Sequence, residues 1–454
     1  MIKFASLCGS NEVNTSCYYI NIEGTGLILD CGMHPRKVGI EALPKLNFLD
    51  ELDVDFGIIS HAHQDHIGSL PYLIQKNPYV RLYSTPQTRA IAELTLHNSV
   101  NIMRKSLKPE DPIRPYTHDE IDLLIKSMNY MEYNEDFSLK GYRHKSLNGI
   151  NINFSDAGHI LGSAGILIEH NGTKIFYTGD INLESQSIIP GALLPKEKID
   201  VLIMESTYGA TDSSLISSWY EETKRLAASA NKVLEKGGSI LIPVFSLGKM
   251  QEITATLSEL MKKGLLTKTD IYTGGVGRKI NRVYDYNRFT TRRNNPDLQL
   301  SDIEQKDLYD VKRIDEFRTN PSIVLAPSGM ILEGTLSYSL VGDWMKYKDF
   351  AIFIVGYMDP STPGYKVMSA KRGMQIQLNE YSKPITVNCD IQHFRFSAHA
   401  KREGLLKIVE KLKPKKVVLV HGDQQAVDWM GNSILERFKN IQVNASESEK
   451  LIEL

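Results

Sequence analysis

Residues 55–66 read DFGIISHAHQDH, in which a short apolar run leads into a cluster of histidine and aspartate. The apolar part is typical of a buried β-strand, so we expect the polar side chains to project from the rim of a sheet. His61 and His63 are two residues apart and point the same way in an extended chain, which lets them share one metal ion. Asp65 and His66 can reach a second ion as the chain turns into a helix. Imidazole and carboxylate are ligands that suit zinc and similar metals.

The chain around this cluster predicts paired strands. The stretch SCYYINIEGTGLILDCG (16–32) indicates two strands that turn at Glu23-Gly24. GILIEH and TKIFYTGD indicate a second hairpin with Asn171-Gly172 at its turn. KIDVLIMES (198–206) is a further run of buried-strand type. Helices are predicted near 86–103 and 117–128.

The pattern changes after Tyr208-Gly209, where helical stretches alternate with short apolar strands. Strands are predicted at 239–245, 321–327 and 350–356, and helices near 214–236, 248–262 and 336–347. Such alternation is typical of a mostly parallel sheet with helices on its faces. The chain ends on another strand and helix, KKVVLVHGD followed by 424–438. A length of 454 residues suggests two domains, and because no linker rich in Pro, Gly and Ser separates them, we expect one to be inserted into the other.

Composition excludes several classes of protein. Hydrophobic residues make up 42% and charged residues 24%, the balance of a globular protein, and a formal net charge of −1 means that any nucleic-acid contact must come from a local patch. The four cysteines form no C-x-x-C pair, which argues against a disulfide framework and predicts a reducing, cytoplasmic location. No run of 18 apolar residues occurs, so no membrane partner is expected. A homodimer is left open.

Two metal ions need more ligands than residues 61–66 supply. His159 stands in SDAGHILGSAG, among small residues that let the backbone approach a bound group closely. Asp180 ends the strand TKIFYTGD, and His421 ends the strand KKVVLVHG. Residues at the ends of neighbouring strands gather on one rim of a sheet, so we predict that these three side chains join the cluster.

Ordered motifs along the chain resemble those of the metallo-β-lactamase superfamily: Asp30 in LILDCG, HAHQDH at 61–66, His159 in AGHILGSA and Asp180 in YTGD. Three further motifs resemble those of the β-CASP branch of that superfamily: Glu205 in ESTYG, His399 in FSAHA and His421 in VHG. The branch includes ribonucleases of the RNase J and the cleavage-and-polyadenylation type. The similarity spans nearly the whole chain.

The resemblance implies an α/β protein, namely an αββα metallo-β-lactamase sandwich with an inserted α/β β-CASP domain. We expect the sandwich to comprise residues 1–208 and 385–454, and the insertion to comprise 209–384. Two zinc ions per chain would lie at one rim of the sandwich. By position, one ion would be held by His61, His63 and His159 and the other by Asp65, His66 and His421, with Asp180 bridging them. Asp30 would orient the ligand histidines or the loop that carries them.

The resemblance also implies a zinc-dependent ribonuclease that hydrolyses phosphodiester bonds of single-stranded RNA. In the branch, a histidine at the position of His421 is associated with RNA, whereas the members that process DNA have an apolar residue there. Two zinc ions can activate a bridging water and hold the phosphoryl oxygens. Asp65 is predicted to be a catalytic residue as well as a metal ligand. His399 is the candidate general acid for the leaving 3′-oxygen, with Glu205 holding its imidazole protonated and aimed. Because water and not the 2′-hydroxyl attacks, the products would be a 5′-phosphate and a 3′-hydroxyl.

A basic and aromatic segment is the candidate RNA contact. GVGRKINRVYDYNRFTTRRNN (275–295) interleaves cations for phosphates with Tyr284, Tyr286 and Phe289, rings on which bases can stack. The arginines singled out for RNA binding are Arg288, Arg292 and Arg293. A solvated helix face is the alternative interpretation of this segment.

Three other functions stay open. A hydrolase of a small ester, thioester or lactam is disfavoured by the β-CASP motifs, and a DNA nuclease is disfavoured by His421. A metal-free scaffold that binds RNA is disfavoured because every ligand position is filled. Some residues depart from the pattern of the branch: Lys249 in place of arginine, Lys401 in place of aspartate, and the segments TGGVG and VGYMDPSTPG. They lie in or next to the insertion, so we expect them to affect the choice of substrate and not metal binding.

Overall fold

The computed structural model describes residues 2–8, 15–107, 111–142, 148–311 and 313–454. The chain divides into two compact units. The first unit consists of Met1–Glu184, Gly191–Leu215 and Ala398–Leu454, and the second of Ser185–Pro190 and Ile216–Ser397. Within the described residues, no helix combines the length and the apolar character needed to cross a membrane.

The first unit contains two seven-stranded sheets. The strands of the first sheet are β1 (Ile2–Ser6), β2 (Tyr18–Ile22), β3 (Thr25–Leu29), β4 (Phe56–Ile58), β5 (Arg81–Ser84), β6 (Asn129–Tyr130) and β22 (Ile452–Glu453). Those of the second sheet are β7 (Phe137–Leu139), β8 (Ile150–Asp156), β9 (Ala164–His170), β10 (Thr173–Tyr177), β11 (Val201–Glu205), β20 (Lys416–Val420) and β21 (Gln442–Ala445). Their spatial orders are β22-β1-β2-β3-β4-β5-β6 and β21-β20-β11-β10-β9-β8-β7. Each sheet therefore joins an antiparallel half to a parallel half.

Both hairpins turn where the sequence predicts. Glu23 and Gly24, between β2 and β3, have φ values of 49° and 90°, and Asn171 and Gly172, between β9 and β10, have φ values of 49° and 80°. Positive φ at both central residues is the geometry of a type I′ turn, whose twist matches that of the flanking strands. Asn and Gly adopt it at low cost.

The core of the first unit lies between its two sheets, where buried apolar side chains of both pack together, among them Tyr18, Phe56, Phe154 and Ile203. The helices are α1 (Gln64–Ile67), α2 (Leu70–Lys76), α3 (Pro86–Ser106), α4 (His118–Ser127), α11 (Arg402–Leu412) and α12 (Gln424–Arg437). Helices α11 and α12 pack on the outer face of the second sheet, in a cluster that includes Phe176, Leu406 and Val427. Every residue of β3 is buried, so the outer face of the first sheet is covered as well. The predicted αββα sandwich is confirmed.

The second unit is built on a six-stranded sheet in which neighbouring strands are parallel. Its strands are β12 (Ile240–Pro243), β13 (Asp270–Thr273), β14 (Lys306–Asp307), β15 (Ser322–Ala326), β16 (Ala351–Ile354) and β19 (Asp390–His393), in the order β14-β13-β15-β12-β16-β19. A small second sheet pairs β17 (Gln375–Ile376) with β18 (Ile385–Thr386). The helices are α5 (Trp219–Leu234), α6 (Lys249–Lys262), α7 (Val276–Tyr286), α8 (Glu316–Thr319), α9 (Leu336–Trp344) and α10 (Pro363–Ser369). Short 3₁₀ turns lie at Gly39–Ala42, Leu46–Leu49, Ser213–Leu215, Leu300–Asp302 and Leu308–Asp310.

The sequence explains where several of these helices begin. Ser218 caps α5 by accepting from the Glu221 amide, and the Glu221 side chain accepts from the Ser218 amide in return. Thr85 caps α3 in front of a proline, which needs no amide partner in the first turn. The side-chain bonds at both helix starts satisfy amides that the helices themselves leave unpaired.

The compact units differ in detail from the predicted domains. The sequence predicts an insertion over 209–384, whereas the second unit consists of Ser185–Pro190 and Ile216–Ser397. It ends later because β19 pairs with β16 and so belongs to the second unit's sheet. Residues 209–215 stay with the first unit, where Gly209 lies so near α12 that a Cβ atom on it would be 2.5 Å from Ala426 O.

Candidate metal centre

The residues of the candidate site follow the ends of five strands in the first unit. Asp30 follows β3, His61 lies three residues beyond β4, Asp180 follows β10 after two residues, Glu205 ends β11, and His421 follows β20. Strands β3 and β4 are parallel neighbours, as are β10, β11 and β20. Within each sheet, the carboxyl ends of these parallel strands therefore lie at the same edge. His159 joins them from the turn between β8 and β9.

His61, His63, His159 and Asp180 form the first group of candidate ligands, with one ligand atom from each lying within 4.8 Å of the others. His63 Nδ1 is 3.1 Å from His61 Nε2 and 3.1 Å from His159 Nε2. Asp180 Oδ2 is 3.5 Å from His61 Nε2 and 3.6 Å from His159 Nε2. Three imidazole nitrogens and one carboxylate oxygen therefore converge, a donor set that suits zinc and similar divalent ions.

Asp65, His66 and His421 form the second group, again with ligand atoms within 4.8 Å of one another. His421 Nε2 is 3.6 Å from Asp65 Oδ2. Asp180 also borders this group, because its Oδ2 is 3.4 Å from His66 Nε2 and its Oδ1 is 3.4 Å from His421 Nδ1. One carboxylate thus lies between the two groups of candidate ligands, and its role as a bridging ligand stays a prediction of the resemblance.

Hydrogen bonds behind two of the rings determine which nitrogen faces the centre. His66 Nδ1 is 2.8 Å from Asp30 Oδ2, and His159 Nδ1 is 2.7 Å from the carbonyl oxygen of Ala398. A carboxylate or carbonyl oxygen only accepts, so Nδ1 carries a proton in both rings. Nε2 is left to face the centre, which is the usual arrangement behind a metal-binding histidine.

Asp30 holds this arrangement from behind. Its carboxylate accepts from the Ser60 amide at 2.7 Å, the Ser60 hydroxyl at 2.6 Å, the Tyr177 hydroxyl at 2.7 Å and His66 Nδ1 at 2.8 Å. The side chain is fully buried, and its backbone is left-handed with a φ of 57°. These contacts put Asp30 behind His66, and its part in orienting the ligand histidines stays a prediction.

Two buried atoms in the centre have no hydrogen-bond partner among the described residues: Asp180 Oδ1 and His421 Nε2. A buried polar atom without a partner costs free energy, and a native structure has to compensate for it. Both atoms belong to the candidate ligand groups. Asp180 Oδ1 carries lone pairs, and so does His421 Nε2 when the ring proton is on Nδ1. A divalent cation held there would satisfy both atoms, so the residues present fit the metal that the superfamily implies.

The pKa values of the ring nitrogens follow from burial and from the carboxylates. Burial lowers the pKa of His61 and of His159 well below the usual range, which keeps both rings in the neutral form that binds metals. Burial acts the same way on His66, but Asp180 and Asp30 outweigh it and raise the pKa of that ring well above its usual range. For Asp180, burial favours protonation, yet the surrounding histidines lower its pKa. The centre is therefore built to hold positive charge between its carboxylates.

Glu205 and His399 form a pair beside the two groups. His399 Nδ1 is 3.1 Å from each carboxylate oxygen of Glu205, and its Nε2 is 4.0 Å from Asp180 Oδ2. Glu205 is fully buried, and its Oε1 also accepts from the Ile181 amide at 2.7 Å. Burial by itself lowers the pKa of His399, but the carboxylates of Glu205 and Asp180 outweigh burial and raise the pKa to about 9. About 20% of the His399 side chain stays exposed, so a substrate can reach it.

Some contacts of the centre were not predicted from the sequence. Ser60 and Tyr177 bind Asp30, and the Thr207 hydroxyl lies 3.0 Å from His421 Nδ1. Each of these residues stands beside a motif, in SHAHQDH, YTGD or ESTYG, and that neighbourhood is the one signal that could have found them. Nothing in the sequence indicated that Gly32 matters to the site. A Cβ atom at this position would lie 1.6 Å from Asp65 O and would displace the loop that carries the ligands.

The predicted RNA-binding arginines lie in the second unit. Arg288 follows α7, donates to Asp285 O at 3.2 Å and stacks over the exposed ring of Phe289. Arg293 instead packs over Tyr284 and donates to its carbonyl oxygen, with Nε and Nη1 buried. Its guanidinium is part of the fold, so we leave Arg293 out of the proposed RNA contacts. Arg292 is exposed.

The two lysines that depart from the branch pattern lie outside the ligand groups. Lys249 is buried and donates through Nζ to Phe396 O. Lys401 Nζ is 2.8 Å from Glu184 Oε1. Each lysine is therefore held by its own partner and contributes no candidate ligand.

Comparison with protein families agrees with this geometry. A model described as a metallo-beta-lactamase superfamily domain matches residues 19–207, a Beta-Casp domain matches 250–367, and a Zn-dependent metallo-hydrolase RNA specificity domain matches 384–446. The first and third matches contain every candidate ligand. The chain belongs to the metallo-β-lactamase superfamily and to its Beta-Casp branch.

Within that branch, the chain is similar to cleavage and polyadenylation specificity factor subunit 3 of Dictyostelium discoideum, at 30% identity over 98% of this chain and 56% of that protein. It is 29% identical to endoribonuclease YSH1 of Eremothecium gossypii, over 98% of this chain and 58% of that protein. It is 30% identical to cleavage and polyadenylation specificity factor subunit 3-I of Arabidopsis thaliana, over 95% of this chain and 60% of that protein. The chain thus spans little more than half the length of these relatives.

A solved structure of a protein of unknown function from Enterococcus faecalis V583 aligns with 100% of this chain and 100% of its own, with a TM-score of 0.59. The two sequences are 15% identical. At that identity the likeness concerns the fold alone.

We predict that Asp30→Ala lowers the free energy of unfolding of the metal-free protein by about 3–5 kcal/mol, because it leaves a buried ring and two hydroxyl donors without their shared acceptor. Urea denaturation measures the loss. Asp50→Ala is the matched control: Asp50 pairs with Lys76 at the surface and should change stability by less than about 1 kcal/mol. Equal stability of the Asp30 and Asp50 variants would contradict the role given to Asp30.

Proposed function

We propose that the protein is a zinc-dependent ribonuclease that hydrolyses phosphodiester bonds of single-stranded RNA. The observation that carries this proposal is the pair of ligand groups that share Asp180, with Glu205 and His399 directly beside them. The relatives named endoribonuclease, and the RNA specificity domain matched around His421, support RNA as the substrate.

Two zinc ions are the proposed cofactors. His61, His63 and His159 would hold one ion and Asp65, His66 and His421 the other, with Asp180 reaching both. When bound, two such ions lower the pKa of a water molecule and stabilise the charge that develops on phosphoryl oxygens. The chain itself would supply these ligand atoms in a fixed orientation. The Asp30 carboxylate accepts from His66 Nδ1, and the Ala398 carbonyl accepts from His159 Nδ1, so Nε2 of each ring points to the centre.

The proposed proton donor is His399. Both oxygens of Glu205 lie 3.1 Å from Nδ1, so the proton available for transfer is the one on Nε2, the nitrogen on the side of Asp180. In the reaction, a water oxygen bonds to phosphorus and gives up one proton to the solvent, the bond from phosphorus to the 3′-oxygen breaks, and that oxygen takes the proton from Nε2, which is later protonated again from the solvent. The products are then a 5′-phosphate and a 3′-hydroxyl.

The second unit supplies the proposed contacts to RNA. Tyr286 at the end of α7 is 88% exposed and Phe289 is 69% exposed, which leaves both rings available for base stacking. Arg288 and Arg292 lie in the same segment and can neutralise phosphates. Rings that accept any unpaired base favour a single strand, whose bases are free to stack on protein.

The cytoplasm is the proposed location. Cys8, Cys17, Cys31 and Cys389 are all buried free thiols, which fits a reducing compartment. Cell fractionation with a specific antibody would test this, and recovery of the protein from an oxidising compartment would contradict it.

We predict that the purified protein holds about two zinc ions per chain and that His63→Ala loses metal and activity together. The reason is that His63 Nδ1 lies between the other two rings of the first group. Plasma mass spectrometry and cleavage of labelled RNA measure the two effects. His118→Ala is a matched control, since that histidine contacts His97 and belongs to neither group. A wild-type chain that cuts RNA in strong chelator, with no detectable metal, would disprove the metal requirement.

His399→Ala should keep both zinc ions and lose roughly 10²–10⁴-fold in turnover, the usual contribution of general acid catalysis. Single-turnover rates with saturating RNA separate this loss from any loss in binding. Two results would refute the assignment: near-normal rates, or loss of zinc like that of His63→Ala.

RNA affinity should fall as salt rises, and replacing both Arg288 and Arg292 with Ala should reduce the slope by about 0.7 for each phosphate that is no longer neutralised. Binding titrations over a range of salt, with zinc content measured in parallel, test this. Arg313→Ala is the control, because Arg313 is an exposed arginine of the same unit that pairs with Asp315. If the double variant keeps the wild-type slope, these arginines belong to a solvated surface.

A further inference from the structure

His421 differs from the other candidate ligands in its backbone, which is left-handed with a φ of 49°. It follows β20, and Ser206 follows the parallel neighbour β11. Ser206 Oγ donates to Val420 O at 2.9 Å, and the Ser206 amide donates to His421 O at 3.3 Å. A Cβ atom on Gly422 would lie 2.2 Å from Ser206 Oγ, so the two chain segments touch. The turn that carries His421 is therefore fastened to the end of β11.

The next residue, Thr207, contacts His421 twice through one hydroxyl. Thr207 Oγ1 donates to His421 O at 3.3 Å and lies 3.0 Å from His421 Nδ1. A hydroxyl has a single proton, so when that proton lies on the carbonyl oxygen, Oγ1 accepts from Nδ1–H. The lone pair of the ring is then on Nε2, which is buried and lies 3.6 Å from Asp65 Oδ2.

We propose that Thr207 is a positioning residue that holds the His421 imidazole in its Nδ1–H form and thereby sets the zinc affinity of the group Asp65, His66 and His421. This inference rests on the proposed metal site and adds to it a residue that lies outside the candidate ligand groups. Partners behind metal-binding histidines typically contribute a factor of roughly 10–100 in metal affinity.

The kind of partner makes His421 more dependent on its neighbour than His66 or His159. Those two rings donate to a carboxylate and to a carbonyl, oxygens that accept in every orientation. A hydroxyl rotates and can donate as well as accept, so its two contacts with His421 have to be held together by the turn. Asp180 Oδ1 is 3.4 Å from His421 Nδ1 but forms no hydrogen bond there. The effect of Thr207 should therefore be confined to the second group.

Thr207→Val is the decisive variant, because it replaces the hydroxyl with a methyl group of similar size. Metal-free protein is titrated with Zn²⁺ in competition with a chelator. Wild type should show two binding constants, and Thr207→Val should weaken one of them by about 10–100-fold while leaving the other unchanged. Thr207→Ser restores the hydroxyl and should restore the affinity. The visible absorption of bound Co²⁺ should change in the valine variant and return in the serine variant.

Two controls separate positioning from a general structural effect. Thr211 lies in the same loop, and its amide bonds to Tyr208 O, so Thr211→Val should keep both zinc affinities. In a His421→Ala background, Thr207→Val should cause no further loss, because Thr207 acts through that ring.

Unchanged affinities in a folded Thr207→Val protein overturn the proposal, and so does an equal loss at both sites or a loss that serine does not restore. If the valine variant does not fold, the tautomer of His421 is measured by NMR in ¹⁵N-labelled, metal-free wild type. A proton on Nδ1 supports the proposal, and a proton on Nε2 overturns it. Failure of wild type to bind zinc at all is a different result, since it removes the proposed metal site together with this inference.

Discussion

A carboxylate that is fully buried has to find its hydrogen bonds inside the protein, and Asp30 finds them in both sheets at once. Ser60 follows β4 of the first sheet, whereas Tyr177 ends β10 of the second. His66, the third partner, lies in α1. The same carboxylate therefore links the two sheets and contacts a candidate ligand histidine. The rim cannot assemble with Asp30 unpaired, because an isolated charge there would cost several kcal/mol.

The same constraint explains why neutral and charged rings coexist in one small volume. His61 and His66 are both fully buried, but Asp30 lies behind His66, with Asp180 on its other side. Burial therefore dominates the pKa of His61, and the carboxylates dominate that of His66. In the absence of metal, protons supply the positive charge that these carboxylates need. A divalent ion bound between the carboxylates would supply that charge instead, and its binding would release protons.

Local patterns carried most of what the sequence could predict. The hairpins at Glu23-Gly24 and Asn171-Gly172 are decided by two residues each, and the cluster at 61–66 is contiguous. The partners of Asp30 are not local: Tyr177 lies 147 residues away, and only the packing of two sheets brings them together. For Arg293 the local sequence led to a wrong prediction. Its neighbours suggest an exposed basic segment, yet the Tyr284 ring and carbonyl take up its guanidinium.

The segment around His399 gives the departures from the branch pattern a physical meaning. The Phe396 carbonyl accepts from Lys249 within the second unit, and the Ala398 carbonyl accepts from His159 within the first. The Ala400 amide then donates to Ile181 O at 2.6 Å, and Lys401 pairs with Glu184. The chain on either side of His399 is thus anchored at every second residue, and both unusual lysines serve as anchors. Lys249 thus contacts the chain before His399 in the second unit, and Lys401 contacts the first unit directly after it. Neither lysine supplies a candidate ligand, so the two positions can differ from the branch pattern while the ligand groups stay complete.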